Sequence, residues 1–331
     1  MEKNEILVDV RHLVKWFPIK KSNPFGPQKY VKAVDDVSFA IRKGETLGLV
    51  GESGCGKSTL ARTMLRLIEP TSGEVLFDNE DFLAADRKRT TAMRKDLQIV
   101  FQDPFGSLHP KMKVGQILEA PMVIQRYGNR NTRAARVREL IDMVDLKPEH
   151  LSRYPHEFSG GQRQRIVIAR ALAMSPRFVV CDEPVSALDV SVRSQILNLL
   201  EDLQKSLGLT YLFISHDLSV VEHICDRIVV MYLGKVMEST SCEELFRNPL
   251  HPYTQALLSA VPQVFAKDRK EHIPVEGDIP SPANPPPGCR FHTRCPQATD
   301  ACREDVPLRD VGGGHLVACR LVTCAKENVH E

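Results

Sequence analysis

The segment Gly51-Glu52-Ser53-Gly54-Cys55-Gly56-Lys57-Ser58 follows the apolar run Thr46–Val50 and precedes a helical stretch starting near Leu60. A strand, a G-x-x-x-x-G-K-S loop and a helix in that order form a cradle for phosphate groups. The glycines at 51, 54 and 56 let the backbone turn tightly and aim successive N–H groups at phosphate oxygens. The helix N-terminus adds partial positive charge at the same place. Lys57 is placed to reach β- and γ-phosphates, and the Ser58 hydroxyl to ligate Mg²⁺. The whole stretch from Gly51 to Thr59, Ser53 and Cys55 included, is therefore the candidate binding element for a nucleoside triphosphate, and it commits the surrounding chain to an α/β fold.

Bulk properties narrow the class. The chain has 331 residues, room for about two domains. With 42% hydrophobic and 26% charged residues it reads as globular. A formal net charge of +2 gives no field for nucleic acid. No apolar run is long enough to cross a bilayer, and the polar start Met1-Glu2-Lys3-Asn4-Glu5 is no secretory signal. The expected location is cytosolic, with any membrane role needing a separate spanning partner.

Short β-rich runs, Ile6–Val10, Val37–Ile41 and Gly73–Phe77, occupy the first hundred residues. Residues 112–175 are mostly helical in pattern, as at Val137, Leu140, Ile141 and Val144. Arg177–Cys181 and Thr210–Ile214 read as fully buried strands, and the helices predicted at Val192–Leu207 and Leu218–Cys225 make βαβ units. After about residue 250 the character changes. Residues 279–288 form a stiff proline-rich linker, followed by a tail holding Cys289, Cys295, Cys302, Cys319 and Cys324.

The first strand of that pair ends in Asp182-Glu183. An aspartate there suits Mg²⁺, and a glutamate suits an attacking water. Phe158-Ser159-Gly160-Gly161-Gln162 precedes the pair, Ser186-Ala187-Leu188-Asp189 follows it, His216 ends the next strand and Gln102 ends the strand Leu97–Phe101. Together these residues resemble an ATP-binding-cassette nucleotide-binding subunit over roughly residues 5–240. Gly51–Ser58 is similar to its Walker A, Gln102 to its Q-loop, Phe158–Gln162 to its signature, Phe178–Glu183 to its Walker B, Ser186–Asp189 to its D-loop and His216 to its switch histidine. Phe158 stands where many members have leucine.

The resemblance implies a P-loop ATPase cassette with a β-subdomain, a helical subdomain near 103–165, and a small C-terminal metal-binding extension at 251–331 after an ATPase domain at 1–250. It implies Glu183, His216 and Gln102 in hydrolysis and Mg²⁺ near Ser58, Gln102 and Asp182. Phe17 lies where an aromatic stacks on adenine, with Trp16 as the neighbouring candidate. Ser159, Gly160, Gly161 and Gln162 would cover nucleotide held by an opposite subunit. Arg163 and Arg165 on the following helix read as a solvated basic face or as part of that function.

Gln102–Pro110, Phe158–Arg165 and His251–Leu258 with the proline-rich linker resemble the ATPase subunits of bacterial dipeptide and oligopeptide importers. The opening Trp16–Lys21, with Pro27–Val31, is more similar to the second ATPase subunit type. That branch implies a heterodimer with another ATPase subunit, two permeases, an extracytoplasmic peptide-binding protein, and a peripheral place on the cytoplasmic face of the membrane. A nickel or glutathione importer, or a soluble non-transport cassette ATPase, is the alternative. DNA-repair cassettes are opposed by the compact interval from Gln102 to Ser159, and translation cassettes by the presence of one phosphate loop.

The tail spacing C-x5-C-x6-C-x16-C is not the C-x-x-C of common zinc sites. On spacing alone, zinc, an iron–sulfur cluster and free buried thiols all stand. The resemblance favours a [4Fe–4S] cluster on Cys289, Cys295, Cys302 and Cys319, with Cys324 spare. The prolines from Pro282 to Pro287 are expected to keep that cluster clear of the ATP interface.

Overall fold

In a computed structural model, residues 5–21, 25–260 and 273–322 are described. They fall into two compact units. One comprises Glu5, Arg42–Glu45 and Ala84–Ile214. The other comprises Ile6–Ile41, Thr46–Leu83 and the described residues from Ser215 onward.

In the first unit three strands run parallel. Leu97–Val100 pairs with Phe178–Asp182 from Leu97↔Phe178 to Val100↔Cys181, and Phe178–Asp182 pairs with Thr210–Ser215 up to Asp182↔Ile214. Every residue of the latter two strands is buried, which is why both read as unbroken apolar runs. The helix Val190–Leu207 connects them. It buries Ile196, Leu197, Leu199, Leu200 and Leu203 along one stripe and stops at Gly208 in a left-handed conformation. The helical portion contains Val114–Ile124, Arg130–Met143 and Gly160–Ala171, joined by short 3₁₀ turns. Its core gathers Val114, Leu118, Met122, Leu140, Ile141 and Ile166. Arginines cross-tie it: Arg136 Nη2 donates to the Leu172 carbonyl at 3.0 Å, and Arg165 Nη1 to the Val144 carbonyl at 2.8 Å.

The second unit holds an antiparallel sheet in the order Tyr30–Arg42, Ile6–Pro18, Ser72–Phe77, Glu80–Asp81. The first two strands are thirteen residues each, longer than their apolar cores predict. Between Arg11 and Val14 the register against Ser72–Phe77 shifts, with His12 at φ +47°. A second set of strands starts with Thr46–Val50, parallel to Arg227–Tyr232. Lys235–Ser241 pairs antiparallel with Arg227–Tyr232 on the far side.

The tail joins this set. Leu316–Val317 pairs antiparallel with Lys235–Ser241 through Glu238↔Val317 and Ser239↔Leu316, and Arg309–Asp310 pairs with Leu316–Val317. A two-residue strand after three glycines has no room for an alternating pattern, so its sequence gives no notice of the pairing. Among the described residues, no helix is long and apolar enough to cross a membrane.

Candidate functional site

The phosphate loop leaves the buried strand Thr46–Val50 and enters the helix Lys57–Met64. Two glycines are required by contact as well as by φ. A Cβ on Gly51 (φ +151°) would sit 2.1 Å from the Met231 carbonyl oxygen, and one on Gly56 (φ +110°) 2.1 Å from that of Ala33. Lys57 is buried, and its Nζ donates to the carbonyls of Gly51 at 2.7 Å and Glu52 at 3.0 Å. The lysine thus closes the loop on itself, with a positive charge at its centre. Burial pushes the Cys55 thiol up, against the opposing pull of Lys57. Ser53 and Gly54 lie exposed at the tip, and Ser58 and Thr59 are half-buried in the first helical turn.

The two aromatic candidates differ in their commitments. The Trp16 indole N–H donates to Asp35 Oδ1 at 3.0 Å, and Lys32 Nζ lies 4.4 Å from the Trp16 ring. Phe17, half-buried, has Lys15 Nζ 4.8 Å from its ring. His216 follows the strand Thr210–Ser215 and is exposed. Asp217 then caps the helix Leu218–Ile224 by accepting from Ser219 N at 3.1 Å.

In the first unit Gln102 and Glu183 meet. Gln102 Nε2 donates to Glu183 Oε2 at 2.8 Å. Asp182 is the buried last residue of its strand, and Glu183, next along, holds φ +49°. The Glu183 N–H donates to the Ile214 carbonyl at 3.0 Å, and its own carbonyl accepts from Ser186 Oγ at 3.1 Å. A glutamate in the left-handed region is strained by about 1–3 kcal/mol and persists where its surroundings over-determine it, often at functional sites.

Ser159 caps the helix Gly160–Ala171. Its Oγ accepts from Gln162 N at 3.3 Å, and Gln162 Oε1 accepts from Ser159 N at 3.1 Å. A Cβ on Gly161 would lie 2.4 Å from Val192 Cγ1, so a glycine lets this helix approach Val190–Leu207 closely. Phe158 is buried edge-on against His150 at 5.3 Å, an aromatic contact leucine would not make. Arg163 and Arg165 are not a solvated basic face. Arg163 donates to the Pro155 carbonyl at 2.7 Å and lies 3.9 Å from the centroid of the exposed Phe105 ring, and Arg165 pairs with Asp145 at 3.0 Å.

Cys289, Cys295, Cys302 and Cys319 line one small cavity together with His251 and His292. Burial and the neighbouring thiols push Cys289 up to about 11, and burial also raises Cys295 and Cys319. His251 Nε2 lies 4.0 Å from Cys289 Sγ; burial lowers its ring to about 4, so it stays neutral and its Nδ1 accepts from Tyr253 N at 3.0 Å. Among the described residues, no three His, Cys, Asp or Glu side chains form a group placed to hold a metal ion. Cys324 lies outside the described residues.

The ABC transporter family matches residues 34–186, and the C-terminal region of oligopeptide/dipeptide transporters matches residues 237–302. The oligopeptide transport ATP-binding protein AppF of Bacillus subtilis is 52% identical over 96% of this chain and 98% of its own length. The dipeptide transport ATP-binding protein DppF of Escherichia coli is 52% identical over 95% and 93%. The chain belongs to the ABC transporter ATP-binding proteins. Among solved structures, a dimeric ATP-binding cassette in a post-hydrolysis state with ADP and Pi is 30% identical, with a TM-score of 0.62 over 71% of this chain and 98% of that one.

Within this ABC ATP-binding protein the tail beyond the proline-rich linker meets the phosphate loop. Arg294, one residue before Cys295, pairs with Glu52 inside that loop at 2.9 Å, and Lys32 N donates to the linker's Pro282 carbonyl at 3.0 Å. Arg290 pairs with Asp35, the acceptor of the Trp16 indole. Nothing local in the sequence marks these partners. The one signal is that both arginines lie within the short span between the first two tail cysteines.

Proposed function

We propose that this chain is the ATP-hydrolysing subunit that energises import of dipeptides or oligopeptides through a membrane ABC transporter. The observation that carries this is one chain holding both a phosphate-loop cassette and the oligopeptide/dipeptide C-terminal region, with about 52% identity to named peptide-transport ATP-binding proteins across nearly its full length. Gly51–Thr59 binds the phosphates, with Lys57 supplying charge, and Phe17 rather than the committed Trp16 stacks on adenine. The hydroxyl of Ser58, the Gln102 amide oxygen and the Asp182 carboxylate are hard oxygen donors that suit Mg²⁺. Mg²⁺ held by such donors would neutralise phosphate charge. Glu183, oriented by Gln102, polarises the attacking water, and His216 acts beside the γ-phosphate. Ser159–Gln162 completes the site of an opposing subunit, so the working unit is a dimer of two different ATPase subunits on two permeases. An extracytoplasmic peptide-binding protein delivers substrate, and this subunit works on the cytoplasmic face. Co-expressed with its permeases in proteoliposomes, it should hydrolyse ATP faster when peptide and binding protein are present. Stimulation by nickel or glutathione and not by peptides would move the substrate assignment, and no association with permeases would overturn the transport role.

Phe105 is the proposed permease contact. It is 65% exposed, on a four-residue helix that Asp103 caps by accepting from Phe105 N at 2.8 Å. Phe105→Glu should cut peptide transport about tenfold or more, since a charge in an apolar contact costs at least about 1.4 kcal/mol, while ATP affinity holds. A parallel collapse of ATP binding would return Phe105 to a structural role.

The four cavity thiols are further proposed to hold a [4Fe–4S] cluster. The support is the family resemblance and the softness of four thiols lining one small cavity, although as placed they do not form a metal-holding group among the described residues; a cluster held there would supply a rigid cross-link or an electron store. Anaerobically purified protein should carry about four irons per chain and lose them on Cys295→Ser. Stoichiometric zinc without iron would overturn the cluster and keep a metal site; no metal would leave free thiols.

A further inference from the structure

The contacts of the loop between Cys289 and Cys295 go beyond holding the tail in place. Arg294 is almost fully buried, with its side chain 9% exposed. Its Nη1 donates to Glu52 at 2.9 and 3.2 Å and to the Tyr232 hydroxyl at 3.2 Å. Glu52 is the second residue of the phosphate loop. Its N–H donates to the buried Tyr253 hydroxyl at 2.8 Å, and its carbonyl accepts from Lys57 Nζ at 3.0 Å. Tyr232, Tyr253 and Phe291 of the tail pack ring to ring, with centroids 4.7–5.5 Å apart, and all three are fully buried. The side chain and both backbone polar groups of Glu52 are therefore held from outside the loop or by its central lysine.

The same tail loop grips a second strand. Arg290 pairs with Asp35 on Tyr30–Arg42, and Asp35 also accepts from Trp16, the neighbour of Phe17. Buried charges of this kind persist only when paired, so each arginine and its carboxylate fix one another's position.

We infer that Arg294 is a positioning residue of the ATP site: the tail, through Arg294 and Glu52, sets the shape of the phosphate loop and hence its affinity for ATP. A loop held in its binding shape loses less freedom when ATP arrives, so the effect falls on binding and not on the chemical step. This rests on the reading that Gly51–Thr59 holds the phosphates.

The test uses the full chain, with MgATP binding by titration calorimetry and steady-state ATPase kinetics. Arg294→Gln should weaken MgATP binding about tenfold, the equivalent of about 1.4 kcal/mol, and raise KM with kcat nearly unchanged. Glu52→Gln should do the same, and the double variant should be no weaker than either single one, because both remove one contact. Arg320→Gln removes a tail pairing with exposed Glu304 and should leave KM unchanged. If Arg294→Gln fails to fold by circular dichroism, Tyr232→Phe removes only the hydroxyl that Arg294 also uses and should raise KM by a smaller factor. Folded Arg294→Gln with wild-type KM, or additive effects of the two changes, would overturn the inference. Unchanged MgATP binding in Lys57→Ala would instead overturn the phosphate-loop reading beneath it.

Discussion

Glu183→Gln should leave MgATP binding intact and slow hydrolysis by about 10²–10⁴-fold, the range for loss of a positioned general base. The side chain sits at φ +49° directly after a fully buried strand, with its N–H on the Ile214 carbonyl, so its backbone place does not depend on its charge. Gln102 donates to Glu183 Oε2, and a glutamine there still offers an oxygen acceptor. Geometry is thereby kept while the carboxylate's basicity is lost. The variant should accumulate as an ATP-bound dimer, visible by size-exclusion chromatography with MgATP. The decisive measurement is turnover in a complex whose second ATPase site is also disabled. Wild-type turnover in that complex would remove Glu183 from the hydrolytic role.

Gly56→Ala should abolish measurable ATP binding, whereas Gly54→Ala should weaken it only slightly. Both glycines hold positive φ, at +110° and +76°. At Gly54 an added Cβ meets no atom of the described residues within 4 Å, so the cost is conformational, about 1 kcal/mol. At Gly56 the new carbon would lie 2.1 Å from the Ala33 carbonyl oxygen. Backbone must move there, because the nearest atom is itself a backbone carbonyl oxygen. Strain of about 1–3 kcal/mol from φ plus displacement of the loop corresponds to roughly a hundredfold or greater loss of affinity. Calorimetric titration of both variants with MgATP provides the comparison. Equal affinities would mean that the contact at Ala33 does not shape the binding loop.

The elements that carry these two predictions are legible in the sequence, for a physical reason. A phosphate cradle needs glycine, lysine and a hydroxyl at fixed spacing, so Gly51–Ser58 announces itself. Strands buried on both faces read as unbroken apolar runs, and Phe178–Asp182 and Thr210–Ser215 do so. The resemblance implies a role in hydrolysis for Gln102 and for Glu183 and says nothing of a contact between them. It took the parallel register of Leu97–Val100 on Phe178–Asp182 to set the two side chains 2.8 Å apart.

Local pattern failed where partners are distant and elements short. Arg163 and Arg165 sit in a basic stretch that reads as solvated, yet folding turns them onto carbonyls and the Phe105 ring. Phe17 is the adenine candidate by resemblance and Trp16 its neighbour, and nothing near either in sequence announces that Asp35 engages the Trp16 indole. In sequence the tail reads as an appendage beyond a proline-rich spacer. Composition reports a spacer's stiffness and nothing of where it leads. Residues 289–295 return to Asp35 and Glu52, hundreds of residues earlier in the chain. The sequence by itself determined the nucleotide chemistry and the fold class, because both are written in residues close together. Only the tertiary structure decided that the cysteine-bearing tail holds the phosphate loop, because an ion pair is specified by proximity in space and leaves no periodic trace in either segment.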